Sequence, residues 1–329
     1  MNFIRINFIF TLALTLTLSS IAQTPKSLAP SVLPGNGLKQ YDFFYAGEGK
    51  VQKMFIVRGG KITWSYCDSL AKGEISDAIM LSNGNILFAY QYGIKEITQD
   101  KKTVWQLEAP KSCEIHTIQA IGNNKVLYLQ NGNPAKLIVV DKTTGTNLKE
   151  LVLPVGNPNG VHGHFRSAHL TSKGTILVAH MDNGKVCEYD ENGTVLLTLN
   201  VPSPWSAVEL KNNNILICSN NGFVVELTRN GEEVWKFSNT EIPGYELYGP
   251  QKAIRLANGN TIINSWFNEW NGKVDVKNAP VQVFEVTPDN KIVWALREWT
   301  EPSNLGPSTT LQLLDDKAVP ENKNFGSIK

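Results

Sequence analysis

A polar turn flanked by two apolar strands recurs along this chain, and that repeat limits the possible folds more than any other feature. The clearest copy turns at Asn83-Gly84-Asn85, runs on through Ile94 to Thr98, and closes on Val104-Trp105. A second turns at Asn258-Gly259-Asn260, continues through Glu285, and closes on Val293-Trp294. A third turns at Asn212-Asn213-Asn214 and closes on Val234-Trp235. Two degenerate copies turn at Gly122-Asn123-Asn124 and at Ser172-Lys173-Gly174. The turns fall at Gly84, Asn124, Gly174, Asn213 and Gly259, steps of 40, 50, 39 and 46 residues. Asn-Gly pairs supply the positive φ that a tight hairpin turn requires. The runs beside them are β-branched and mostly apolar, as buried strands are.

Four short strands per unit of roughly 40–45 residues is the size of a propeller blade. The chain ends complete the count. Residues 41–67 carry three strands but no opening strand: Tyr41–Ala46, Lys53–Arg58 and Lys61–Tyr66, with Trp64 at the closing position. Thr309 to Asp316 reads as an opening strand with no successors. Together they make one blade and remove a sheet edge. The expected fold is all-β: a six-bladed β-propeller with four-stranded blades, closed by N-terminal strands pairing with the C-terminal strand. The 50-residue step leaves a seventh blade as the alternative. Residues 41–318 form the propeller, 23–40 a linker and 319–329 a loose polar tail. Trp64, Trp105, Trp235 and Trp294 are expected to pack between strands.

The first 22 residues read as an export signal: one charge at Arg5, an apolar run from Phe8 to Leu18, and small residues at Ser20 and Ala22. The run is shorter than the ~20 residues of a membrane span. A secreted or periplasmic chain, cleaved near Ala22, is expected, without membrane insertion. With 31 basic and 30 acidic residues the net charge is +1, which gives no electrostatic reason to expect nucleic acid. Cys67, Cys113, Cys187 and Cys218 are too sparse for a disulfide scaffold and read as buried thiols, with one bridge left open.

The copies resemble the repeats of PQQ-like β-propellers. The run Asn258-Gly259-Asn260 with Glu285-Val286-Thr287-Pro288-Asp289 and Val293-Trp294 is similar to their arylsulfotransferase-like branch. The combination of signal and repeats also resembles secreted propellers of Bacteroidetes-type bacteria, whose functions are largely unassigned. The resemblance implies the fold over nearly all of residues 41–318 and leaves function open, since one fold hosts many activities. Arylsulfotransferases carry a nucleophilic histidine in the central funnel. Quinone-dependent relatives have eight blades and adjacent cysteines; this chain has neither, so no cofactor is named.

In a propeller the innermost strand of each blade lines the channel. Its start shares a face with the loop between the second and third strands. Opening strands would bring Asp77, Glu114, His116, His164, Arg166, Trp205, Gln251 and Lys252 to that face. Ends of second strands would add Gln91, His180, Asp182, Asn220, Asn264 and Trp266. All five histidines lie between His116 and His180. His116 or His164 could serve as base or nucleophile, with Arg166 or Lys252 holding an anion. Alternatively His162, His164, His180 and Asp182 suit a metal. Trp205 and Trp266 could stack on sugar rings while Gln91, Asn220, Gln251 and Asn264 bond hydroxyls. His169 reads as structural. The function expected first is binding of a carbohydrate or other small polar ligand in the funnel. The alternatives are an enzyme (lyase, hydrolase or sulfotransferase-like) acting on an anionic glycan or ester through a funnel histidine, or a protein-interaction platform.

Overall fold

The computed structural model describes residues 30–238, 245–316 and 318–329. Residues 1–22, read above as an export signal, lie outside them. The chain opens with β1 (Phe43–Gly47), β2 (Gln52–Arg58) and β3 (Lys61–Asp68). Five complete meanders follow. Blade 2 is β4 (Asp77–Met80), β5 (Ile86–Ala89), β6 (Gly93–Ile97) and β7 (Thr103–Glu108). Blade 3 is β8 (Glu114–Ile121), β9 (Lys125–Asn131), β10 (Ala135–Asp141) and β11 (Asn147–Leu153). Blade 4 is β12 (Phe165–Leu170), β13 (Ile176–His180), β14 (Lys185–Tyr189) and β15 (Val195–Asn200). Blade 5 is β16 (Pro204–Glu209), β17 (Ile215–Ser219), β18 (Phe223–Leu227) and β19 (Glu233–Ser238). Blade 6 is β20 (Pro250–Arg255), β21 (Thr261–Ser265), β22 (Val283–Val286) and β23 (Ile292–Leu296). The last strand, β24 (Thr310–Leu313), pairs antiparallel with β1 and completes blade 1 in the order β24-β1-β2-β3. This is the six-bladed propeller the repeat predicts, closed by its two ends.

The apolar side chains do not form one central core. They fill the wedges between neighbouring blades. Phe44, Met54 and Ile56 of blade 1, for instance, meet Ala78, Ile86 and Phe88 of blade 2. The repeated glutamate ties the wedges together. Glu96, Glu226 and Glu285 face Trp105, Trp235 and Trp294 across the ladder, and the register shifts just after each glutamate. Each carboxylate is buried. It takes an asparagine of its own blade's turn and a donor from the next blade. Glu226 accepts from Asn214 at 2.7 Å and Arg255 at 2.9 Å; Glu285 accepts from Asn260 at 2.7 Å and Tyr41 at 2.9 Å. Glu188 makes the same link through Thr175 and Arg229. A buried carboxylate survives only with such partners.

Both ends of the described chain depart from the expected linker and loose tail. Pro34 accepts a hydrogen bond from Ala295 at 3.2 Å, and Gly37 accepts one from the Trp294 indole at 3.0 Å, so residues 30–40 cover the outer edge of blade 6. The C-terminal residues strap the turns of three blades. Glu321 accepts from Ser82 of blade 2, Gly122 of blade 3 donates to its carbonyl, and Gly326 donates to Gly174 of blade 4. Phe325 is fully buried among Leu129, Leu170 and Tyr189. Phe325→Ala is expected to cost about 3 kcal/mol by urea unfolding. A loss below about 1 kcal/mol would show that the strap only rests on the propeller.

No helix among the described residues is long and apolar enough to cross a membrane. All four cysteines are free thiols; Cys187 and Cys218 are buried as expected, whereas Cys67 is exposed.

Candidate functional site

Four innermost strands bulge at the same level. Register shifts fall between Ile115 and Thr117, Phe165 and Ala168, Pro204 and Ser206, and Pro250 and Ala253. The residues skipped by the ladders are His116, Arg166 with Ser167, Trp205, and Gln251 with Lys252. A bulge leaves its extra residue unpaired and re-aims the side chain. Here the bulges build one polar ring around the channel, and two loop glutamates complete it.

Arg166 is the hub. It is 3% exposed. Its Nη2 donates to Glu48 and, at 2.8 Å, to Glu74. Its Nη1 donates to His162 Nε2 at 3.2 Å and to the His162 carbonyl at 3.3 Å. Its guanidinium carbon lies 4.6 Å from the Trp205 ring centroid, within cation–π range. Trp205 in turn packs on Trp266 with centroids 5.8 Å apart. Gln251 donates to Glu48 Oε2 at 3.2 Å, and the Trp266 indole donates to the Glu48 carbonyl at 2.9 Å.

Two imidazoles share one carboxylate. His116 Nε2 and His162 Nδ1 each lie 2.8 Å from Glu114 Oε2. A carboxylate only accepts, so each of these nitrogens carries its proton. His116 Nδ1 then accepts from Ser76 at 2.8 Å, and His162 Nε2 is the bare atom that accepts from Arg166. The 3.3 Å approach of Arg166 Nη1 to His116 Nε2 is donor against donor and is not a bond in that state. Gln91 donates to Glu114 Oε1 at 3.1 Å from a left-handed backbone, φ 69°. Such a φ is uncommon outside glycine and marks constrained positions.

These contacts push the titrations apart. Burial raises Glu48 to about 7, with the Glu74 charge adding and Arg166 opposing. Burial also pushes Glu74 up, but Arg166 and His116 outweigh it and hold Glu74 below the usual carboxylate range. Glu114 is held far lower, because bonds from His116 and His162 overcome its burial. Burial and then the Arg166 charge drop His116 to about 4. The Glu114 bond raises His162 against its partial burial. Groups so separated can hold and move protons near neutral pH.

The ring thus gathers Gln91, Glu114, His116, Arg166, Trp205, Gln251 and Trp266. The other residues singled out from sequence lie elsewhere. Asp77 and Lys252 pair at 2.5 Å deeper in the channel, with Thr310 3.3 Å from the same ammonium. Asp182 accepts from the Gly156 and Asn157 amides, and His164 Nε2 bonds the Asn157 carbonyl at 2.7 Å; both hold the loop that presents His162. His180 is buried inside its blade against Phe165, bonded to the Tyr189 hydroxyl at 2.9 Å. Asn264 bonds Ser308 at 2.6 Å and so ties blade 6 to blade 1. Asn220 is exposed on its turn. The proposed metal set of His162, His164, His180 and Asp182 does not converge. Glu74, His116 and His162 do offer ligand atoms within 4.8 Å of one another. The Arg166 guanidinium already sits against all three, which is the place a metal cation would need.

Glu48 and Glu74 escape a reading by strand pattern because both lie in loops. Gly47 places Glu48: a Cβ there would stand 1.6 Å from the Pro307 carbonyl oxygen. Only glycine lets the strand approach so closely. The Gly-Glu-Gly run at residues 47–49 was the available signal.

Fold and ring define a six-bladed β-propeller with a charged central funnel. No family model matches the sequence, and no curated protein is significantly similar to it. Among solved structures it is similar to a protein of unknown function from Bacteroides caccae, with 25% identity and a TM-score of 0.72 over 84% of this chain and 99% of that one. Virginiamycin B lyase from Staphylococcus aureus superposes with a TM-score of 0.52 at 15% identity, over 79% of this chain and 85% of the lyase. The WD40 propeller domain of Doa1 gives 0.50 at 15% identity over 68% and 71% of the two chains. The last two likenesses concern the fold alone.

Proposed function

We propose that this chain is an exported propeller that binds a small hydroxyl-rich ligand, of the carbohydrate class, at the funnel mouth. The repeat pattern supports kinship with PQQ-like, arylsulfotransferase-like propellers. One observation carries the ligand reading. Three polar atoms at the bulges of the innermost strands, Arg166 Nε, Ser167 Oγ and Gln251 Oε1, are buried without a protein partner. Unsatisfied buried groups cost about 1–3 kcal/mol each, so such atoms persist where another molecule supplies the bond. Hydroxyls both donate and accept, which suits this mixture of donors and an acceptor.

Charge then narrows the choice. Arg166 and Lys252 are each engaged by carboxylates. Three glutamates surround the one guanidinium. A neutral group therefore suits the centre better than the anion expected from sequence. His162 is the exposed member, with 56% of its side chain open, and Trp266 and Gln91 are half-buried beside it.

Titration calorimetry with neutral oligosaccharides tests this. His162→Ala is expected to weaken binding about tenfold, through loss of its exposed imidazole face at the funnel mouth and of its hold on Arg166 Nη1. No heat from any neutral sugar would sink the proposal.

A second reading, acid–base catalysis on the bound ligand, is favoured by Glu114 bridging two imidazoles. It assigns proton transfer to His162, the exposed imidazole, at the Nε2 that a ligand reaches by displacing Arg166 Nη1, in place of His116 or His164. Turnover of a bound sugar that stops in His162→Ala would select it.

A further inference from the structure

Two buried carboxylates lean on one nitrogen. Arg166 Nη2 donates to Glu48 Oε1 and to Glu74 Oε1. The two oxygens therefore stand no more than two hydrogen-bond lengths apart, about 5.5 Å. Glu48 is 1% exposed and Glu74 6%. The guanidinium is the cation they share. The neighbouring rings add no charge, because His116 Nδ1 accepts from Ser76 and His162 Nε2 accepts from Arg166. Lys252, a second cation of the channel, is paired with Asp77. Two acids held this close and out of water favour keeping one proton.

Glu48 is the member that keeps it. Beyond the guanidinium its carboxylate meets one neutral donor, Gln251 Nε2 at 3.2 Å. Burial, against Arg166 and with Glu74, lifts it to about 7. The charged and titratable groups facing it are Arg166 on β12, Glu74 from the loop before β4 and His162 from the loop before β12. Glu269, from the β21–β22 loop, is held on the Lys50 amide at 3.1 Å.

Gln251 registers that proton. It is fully buried; its Nε2 donates to Glu48 Oε2 while its Oε1 has no partner. An ionised carboxylate only accepts, so it draws the nitrogen end of the amide. A protonated Glu48 carries an O–H and needs an acceptor. Half a turn of the Gln251 amide exchanges its ends and sets Oε1 about where Nε2 now stands, within reach of that hydrogen. The orphan oxygen thus belongs to the ionised state and finds its donor in the protonated one.

We infer that Glu48 is a proton switch for the funnel site: ionised, it makes Gln251 offer the ligand an oxygen acceptor, and protonated, it makes the same side chain offer an N–H donor. The step moves one proton between solvent and Glu48 and changes no other bond of the chain's covalent structure. Its effect on a ligand rests on the carbohydrate reading of the funnel; the proton and the amide reversal do not. A ligand hydroxyl serves both states, whereas an ether oxygen, which only accepts, serves the protonated one.

Neutron diffraction, which sees deuterium, tests this on crystals of the unaltered chain held about one unit below and about one unit above pD 7. At the lower value a deuteron is expected on Glu48, directed at Gln251 Oε1. At the higher value Glu48 is bare and the Gln251 nitrogen faces it. In solution, carbon NMR of chain labelled at its glutamate carboxyls should show one group titrating near pH 7 that is missing from Glu48→Gln. One orientation of Gln251 at both values, a bare Glu48 at the lower, or a near-neutral titration that survives Glu48→Gln overturns the switch. If that variant does not fold, the neutron result decides alone. No sugar enters either measurement, so their failure spares the carbohydrate reading, and a funnel that binds no sugar loses only the ligand half of the inference.

Discussion

Urea unfolding at pH 6, 5.5, 5 and 4.5 is expected to show stability falling by about 2.7 kcal/mol per pH unit. Three imidazoles drive the fall. Burial, with the Arg166 charge second, brings His116 to about 4. Burial, with Lys252 second, does the same to His169 on β12. Burial, with Lys185 second, does so for His180. An unfolded histidine titrates near 6.5. Between those values the unfolded chain takes up about three protons that the folded chain refuses. Stability from a depressed histidine is present above pH 6.5 and is lost as pH falls toward 4. Glu48 opposes this. Its pKa of about 7 lies above the ordinary value near 4.3, so the folded state holds one proton the unfolded state lacks. The net is about two protons, hence the slope. His180→Gln should remove one of them, lowering the slope by about 1.4 kcal/mol per unit. A flat profile between pH 6 and 5 would mean that these rings are hydrated in solution.

Arg166→Met should destabilise the protein by about 4 kcal/mol, the range for breaking a buried ion pair from one side. The substitution keeps the apolar stem and removes the guanidinium. Glu48 and Glu74 are then left buried without their cation, and Trp205 loses its stacking partner. Adding Glu48→Gln should recover part of that loss, because one stranded acid disappears. The recovery is a coupling measurable in a double-mutant cycle. Arg166→Lys should rescue little, since one ammonium cannot serve Glu48, Glu74 and His162 together. A cost under 1 kcal/mol for Arg166→Met, or strict additivity with Glu48→Gln, would show that the three groups are solvated independently.

Much of this architecture is written locally. The turns at Gly84, Asn213 and Gly259 and the Val-Trp closures need only neighbours in sequence to be read. The composite blade follows from two incomplete sets of strands at the ends. The ring is different in kind. Arg166 bonds Glu48 and Glu74 across 118 and 92 residues, and loop glutamates carry no periodicity to point to them. Strand position alone puts His180 and Asn264 on the funnel. Position fixes height in the blade but not whether a side chain turns to the channel or to the neighbouring blade. The C-terminal strap is hidden by averaging. Its polar composition suggests a free tail, while a single residue, Phe325, supplies the anchor.

The pairing of β1 with β24 also sets an order of events. The blade that leaves the ribosome first is the last to be finished, because β1 waits for residues more than 260 positions later. Contacts so distant in sequence form slowly. Until then β1 presents an open edge, able to accept the β24 strand of another copy as readily as its own. Truncated or stalled chains are therefore the species most prone to exchange strands, and dilution during refolding should favour closed single rings over linked ones.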